Sequence, residues 1–143
     1  MAGILRNATA VWNGSGKEGR GTLSTQSETL NSVPYSYSRR FGEEKGTNPE
    51  ELIAAAHAGC FTMALAFQLS GAEHVPERLE TRADVSIVQE GGGWKIDAVM
   101  LQVKAKVPGI DAAKFKELAE GAKANCPVSK VLNAKITLKA DLV

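Results

Sequence analysis

Cysteine is scarce in this chain: Cys60 and Cys126 are the only two among 143 residues. That excludes a small disulfide-stapled scaffold, and a chain of this length buries a core without staples. Neither sign of charge is in excess, with 17 Lys and Arg against 16 Asp and Glu. No overall field therefore draws the chain to nucleic acid or to anionic lipid, and neither is expected as a partner. The opening MAGILRNATAVWNG lacks the long apolar stretch and cleavage site of a secretory signal. A cytoplasmic protein is expected, where two cysteines are more often catalytic, metal-binding or inert than structural. Repeats, low-complexity segments and an obvious linker are missing too, which predicts one domain over residues 1–143.

Long hydrophobic runs are also few, and the one that stands out organises the rest. Asn48 to Leu69 reads NPEELIAAAHAGCFTMALAFQL. Asn48 suits an N-cap, Pro49 the first helical position, and Glu50 and Glu51 the positive end of the helix dipole. Beyond Leu52 the run has no charge apart from the titratable His57 and is apolar on nearly every face, as a buried helix is. Its length approaches that of a membrane span, but it is Ala-rich, contains His57, Gly59, Thr62 and Gln68, and lacks aromatic anchors and a basic flank. The expectation is a core helix over residues 48–70 and no membrane partner.

Before it, residues 1–47 read as a β meander and a loop. Ala8 to Asn13 alternates weakly, NGSGK turns the chain into Gly19 to Thr25, and Val33 to Arg40 is a third strand or an extended edge. Phe41 to Thr47 is the loop that delivers the helix. After it, residues 79–143 read strand, strand, helix, helix, strand. Leu79, Thr81, Ala83, Val85 and Ile87 share one face of a half-buried strand, and Gly91 to Gly93 turn it back into Trp94 to Val107. There the apolar phase switches from Trp94, Ile96 and Ala98 to Val99, Leu101 and Val103, which predicts a β-bulge. Asp111 caps a helix through Ala124, Cys126-Pro127 opens a short second one, and Ala134 to Leu142 is the last strand. The class is α+β, with a largely antiparallel sheet folded around the central helix.

The chemistry rests on the two thiols. Cys60 sits in an apolar helix, where a free thiol packs as a small hydrophobe and its pKa rises, so reactivity needs a nearby cation. His57 lies on the same helical face, and Arg39 and Arg40 precede the helix. Cys126 has the better local setting, because amides at a helix N-terminus stabilise a thiolate. His57, His74, Cys60 and Cys126 are too scattered for a recognisable zinc pattern. A Cys60–His57 acyl-transfer dyad lacks an oxyanion loop, and Gly91 to Gly93 lacks the following helix and lysine of a phosphate cradle. Enzyme, redox-sensing stress protein and metal-binding module all stay open on the residues alone.

Glu43-Glu44-Lys45-Gly46-Thr47-Asn48-Pro49-Glu50-Glu51-Leu52, the helix cysteine, Val107-Pro108-Gly109-Ile110-Asp111 and Cys126-Pro127-Val128-Ser129 together resemble the OsmC branch of the OsmC/Ohr family. The resemblance runs from AVWNG to the last strand. It implies an OsmC-like fold and a peroxidase of the oxidative and osmotic stress response that reduces organic hydroperoxides. It assigns the attacking thiol to Cys60 and the resolving thiol to Cys126, reversing their local ranking. It further implies an arginine matching Arg40, with Arg39 the neighbour left out, and a glutamate, Glu50, that orients it. Phe61 and Met63 are expected to wall the site for an organic chain. No metal or other cofactor is implied, and an external dithiol such as lipoamide is the expected reductant.

Spacing adds an expectation about assembly. Glu50 and Cys60 are ten residues apart, about 15 Å along one helix. If Glu50 and Arg40 serve Cys60, they come through a helix break or from a second molecule. An intertwined homodimer with composite sites is expected, Cys60 and Cys126 from one chain and Arg40 and Glu50 from its partner.

Overall fold

The computed structural model describes residues 2–143. They fall into two compact units, one ending at Leu52 and one running Ile53–Val143. In the first, β1 (Ala8–Asn13), β2 (Arg20–Thr25) and β3 (Val33–Tyr35) form an antiparallel meander, as the turn residues predict. Trp12 pairs with Gly21 and Gly21 with Tyr35 across it. The Trp12 and Tyr35 rings meet over this glycine, and any Cβ there would run into both.

The third strand is shorter than expected. It stops at Tyr35, and Tyr37–Phe41 forms a short helix, α1, in place of the extended edge. Ser36 explains the switch: its hydroxyl accepts the Arg39 amide at 3.3 Å, an N-cap that turns the chain before the strand can continue. Arg39 and Arg40 thereby lie on a helix rather than on a strand or extended edge.

Helix α2 runs unbroken over Pro49–Gly71 and starts as the sequence predicts. Asn48 Oδ1 accepts the Glu51 amide at 2.8 Å, and its Nδ2 donates to the Arg39 carbonyl at 3.1 Å. One side chain thus caps α2 and ties down the end of α1. By length and composition α2 is able to cross a membrane. However, Phe61, Leu65 and Leu69, at four-residue spacing, are wholly buried in the core of the second unit. Thr62 adds a polar tie, its hydroxyl bonding the Ala58 carbonyl and the Thr81 hydroxyl at 2.6 Å each. The opposite face differs from the all-round burial expected of a core helix. Met63 and Phe67 are 64% and 73% exposed, and Ala55 and Gly59 share that surface.

The second unit also contains β4 (Arg78–Glu90), β5 (Gly93–Lys106), α3 (Ala112–Asn125), α4 (Pro127–Val131) and β6 (Lys135–Leu142). Gly91 and Gly92 both have positive φ, the two-residue hairpin turn that suits strand twist and favours glycine. Ser86 pairs with Ala98 but Ile87 with Ile96, so Asp97 is the extra residue of the expected bulge. It re-phases β5 so that Val99, Leu101, Val103 and Ala105 all face the core. The sheet order is β4-β5-β6, and β6 is parallel to β5 because α3 and α4 form the crossover between them. The strands therefore make two three-stranded sheets, one with a parallel pair. Asp111 caps α3 by accepting the Lys114 amide at 2.8 Å. Phe115, Ala119 and Ala122 face the core, with Leu118 packed at its margin.

Candidate active site

The second unit brings the two cysteines together. Cys126 stands between α3 and α4, where its amide still donates to the Ala122 carbonyl at 3.0 Å and its carbonyl accepts the Lys130 amide at 3.1 Å. Pro127 supplies the first residue of α4. The Cys126 Sγ lies 2.8 Å from the Cys60 Sγ, and both thiols are free. Cys126 is fully buried, whereas Cys60 is half-buried.

Their environments push them apart. Burial drives the Cys60 thiol above its usual value, and the hydrogen bond with Cys126 adds to this against a weaker opposing contact from the Val128 amide. Burial also acts upward on Cys126. Donors from Cys60, the Ser129 amide and hydroxyl, and the Val128 amide together reverse it, leaving Cys126 below the usual value. The two thiols share one contact, so these opposite directions belong to the pair together. The directions match the local ranking of the thiols made from α4.

His57 does not supply the cation that Cys60 needs. Its imidazole is wholly buried, which drives its pKa down and keeps it neutral. Nε2 lies 2.8 Å from Ser129 Oγ, and Nδ1 is buried without a partner. Nor does Phe61 wall a solvent-facing site: it is wholly buried in the core, while Met63 points from the exposed face of α2. Among the described residues no three His, Cys, Asp or Glu side chains gather as a metal centre would require.

The first unit holds the other two expected residues as a pair. Arg40 Nε lies 3.1 Å from each Glu50 carboxylate oxygen, and Nη2 lies 2.6 Å from Oε1. Glu50 is only 7% exposed, so its charge rests largely on this contact. The guanidinium also stacks on Phe41, 5.0 Å from the ring centre. Arg39 is engaged elsewhere: Nη2 pairs with Glu44 at 3.1 Å, Nε donates to the Lys45 carbonyl at 3.3 Å, and its side chain fills the space beside Gly46. Glu44 also accepts from the Ser38 hydroxyl, the main reason its pKa falls, with Arg39 contributing less. Glu50 therefore pairs with Arg40 and not with Arg39. Beside Arg40 is a hollow of about 220 Å³ lined by Trp12, Tyr35, Tyr37 and Phe41. Reading the sequence did not find it, because its rings are scattered over β1, β3 and α1.

Two free cysteines in contact, one on a helix and one at the start of another, define a thiol-based redox protein. The family model described as OsmC-like protein matches residues 42–141. The chain is 49% identical over 139 residues to peroxiredoxin OsmC of Escherichia coli K12, covering 97% of both chains. It is 36% identical over 101 residues to the organic hydroperoxide resistance protein OhrA of Bacillus subtilis, covering 69% of each. The crystal structure of OhrB from Bacillus subtilis superposes with a TM-score of 0.71 at 27% identity, over 96% of this chain and 98% of that one. The chain belongs to the OsmC-like family.

Proposed function

We propose that the protein is a cytoplasmic thiol peroxidase that reduces organic hydroperoxides to alcohols, with the whole chain serving as one OsmC-like domain. The observation that carries this is the approach of two free thiols to 2.8 Å in a member of this family. Exposure supports Cys60 as the attacking thiol. A hydroperoxide reaches half-buried Cys60 from outside, whereas Cys126 is fully enclosed. The Cys60 thiolate attacks the outer peroxide oxygen, the O–O bond breaks, and the departing alkoxide takes a proton to become the alcohol. Cys126 then converts the Cys60 sulfenic acid to a disulfide with release of water, which keeps Cys60 from further oxidation. An external dithiol such as lipoamide reopens the disulfide, and the proposed cycle draws on no metal or other cofactor.

Because burial disfavours ionised Cys60, the attack needs a cation. In this reading it is Arg40, oriented by Glu50, which stabilises the thiolate and the leaving oxygen. The aromatic hollow beside Arg40 suits an organic chain better than hydrogen peroxide. Helix α2 is unbroken, so Glu50 stays about 15 Å from Cys60 along it. Together with the uncovered Met63 and Phe67 face, this supports a homodimer in which Arg40 and Glu50 serve the partner's thiols. Steady-state reduction of cumene hydroperoxide with dihydrolipoamide tests the activity. Turnover lost in Cys60→Ser and in Cys126→Ser is expected, and undiminished turnover in Cys60→Ser overturns the reading.

A further inference from the structure

Helix α1 carries Arg40, yet its own hydrogen bonds do not fix where it lies. It has only five residues, closed by the Arg40 amide on the Ser36 carbonyl and the Gly42 amide on the Ser38 carbonyl, both 3.1 Å. A helix this short is not stable alone, and the last carbonyls of a helix need partners from outside it. The connection to α2 contains Gly42 and Gly46, whose freedom leaves the angle between the two helices open. The Arg39 side chain reaches only Glu44 and Lys45 within that connection. Contacts made from α2 must therefore set the place of Arg40.

Glu50 and Asn48 supply them. Glu50 holds the guanidinium, with Arg40 Nη2 at 2.6 Å from Oε1. Asn48 holds the backbone one residue earlier: its Nδ2 donates to the Arg39 carbonyl at 3.1 Å while its Oδ1 accepts the Glu51 amide at 2.8 Å. The long Arg40 side chain is thus fastened near its base and at its tip, and both fasteners stand at the start of α2. The two ends of the Asn48 amide are not interchangeable, because the Glu51 N–H needs an oxygen and the Arg39 carbonyl needs an N–H. Asp and Ser cap a helix about as well as Asn. Asp, however, has no donor, and Ser has one oxygen for two places. Capping alone gives the amide nitrogen no task.

We infer that Asn48 is a positioning residue for the peroxide step, pinning α1 to the start of α2 so that Arg40 is carried to its place beside Glu50. The inference rests on the reading of Arg40 as the cation that serves the attacking thiol. Asn48 acts through Arg40 and takes no part in bond making or proton transfer.

Asn48→Ser and Asn48→Asp both keep the cap and lose the donor, one without an added charge and one with it. Stopped-flow mixing with stoichiometric tert-butyl hydroperoxide separates sulfenic acid formation from disulfide formation. Each variant is expected to slow the first phase by roughly tenfold, between the loss of one hydrogen bond and the cost of a misplaced catalytic group. The second phase should keep its native rate. In an Arg40→Ala background, Asn48→Ser should slow the first phase no further, because nothing is left for it to position. A native first phase in either Asn48 variant overturns the inference. So does equal slowing of both phases, or a further loss of similar size in the Arg40→Ala background. Arg40→Ala alone reports on the reading beneath it: a native first phase there removes Arg40 as the cation and the inference with it.

Discussion

Removing Arg40 should cost more stability than removing its partner Glu50, although both deletions break the same contact. The two sides of the pair are solvated unequally, with 37% of the Arg40 side chain exposed and 9% of that of Glu50. A fully buried pair that loses one partner costs about 3–5 kcal/mol, and an exposed pair about 0–1 kcal/mol. Arg40→Ala leaves a buried carboxylate without its three close contacts and also removes the stack on Phe41, so a loss of about 2–3 kcal/mol is expected. Glu50→Ala leaves a guanidinium that water can reach, and about 1 kcal/mol is expected. In the double variant no buried charge is stranded, so its loss should fall short of the summed singles by roughly 1 kcal/mol. Urea denaturation of the four proteins at one fixed protomer concentration measures this, with thermal midpoints moving about 2–4 °C per kcal/mol. Losses that simply add, or a larger loss in Glu50→Ala than in Arg40→Ala, would refute the assignment of Arg40 as Glu50's counter-ion.

Two further outcomes follow from the same structure. His57 has a folded pKa below its unfolded value, so the unfolded state binds the extra proton. Its contribution is present above the ordinary imidazole value near 6.5 and is lost as pH falls below it toward the folded pKa. Stability should therefore decline on acidification below about pH 6.5 and do so less steeply in His57→Gln; equal slopes in urea titrations across this range would show that His57 is not the group responsible. Mixing Cys60→Ser with Arg40→Ala protein under conditions of subunit exchange should restore part of the peroxidase activity. A mixture that stays inactive despite demonstrated exchange would place the whole site within one chain.

Helix starts were the most legible features of the sequence, because Asn48-Pro49 and Cys126-Pro127 state their geometry locally. The glycine hairpin and the bulge followed from local backbone freedom and from the phase of apolar residues. Less accessible was α1. Its YSRR alternates like a strand, and only the Ser36 cap, a contact rather than a pattern, decides for helix. The parallel pairing of β6 depends on the path of α3 and α4 across the sheet, and no periodicity within β6 records it. Among the candidate residues, motifs carried Cys60, Cys126, Arg40 and Glu50, but their partners needed coordinates. Ser129 was quoted only as part of CPVS, and His57 passed for a cation until its burial and its contact with Ser129 were visible. Phe61 illustrates the same limit: next to Cys60 in sequence, it turns into the core while Cys60 turns toward α4.

The central claim is that Cys60 takes the peroxide oxygen and Cys126 closes the disulfide. Anaerobic reaction with stoichiometric tert-butyl hydroperoxide, followed by alkylation and peptide mass spectrometry, tests it most directly. The account predicts a product lighter by the two thiol hydrogens, with Cys60 linked to Cys126, and a sulfenic acid retained on Cys60 in Cys126→Ser. A sulfenic acid found on Cys126, or no linkage after the peroxide is consumed, would contradict it.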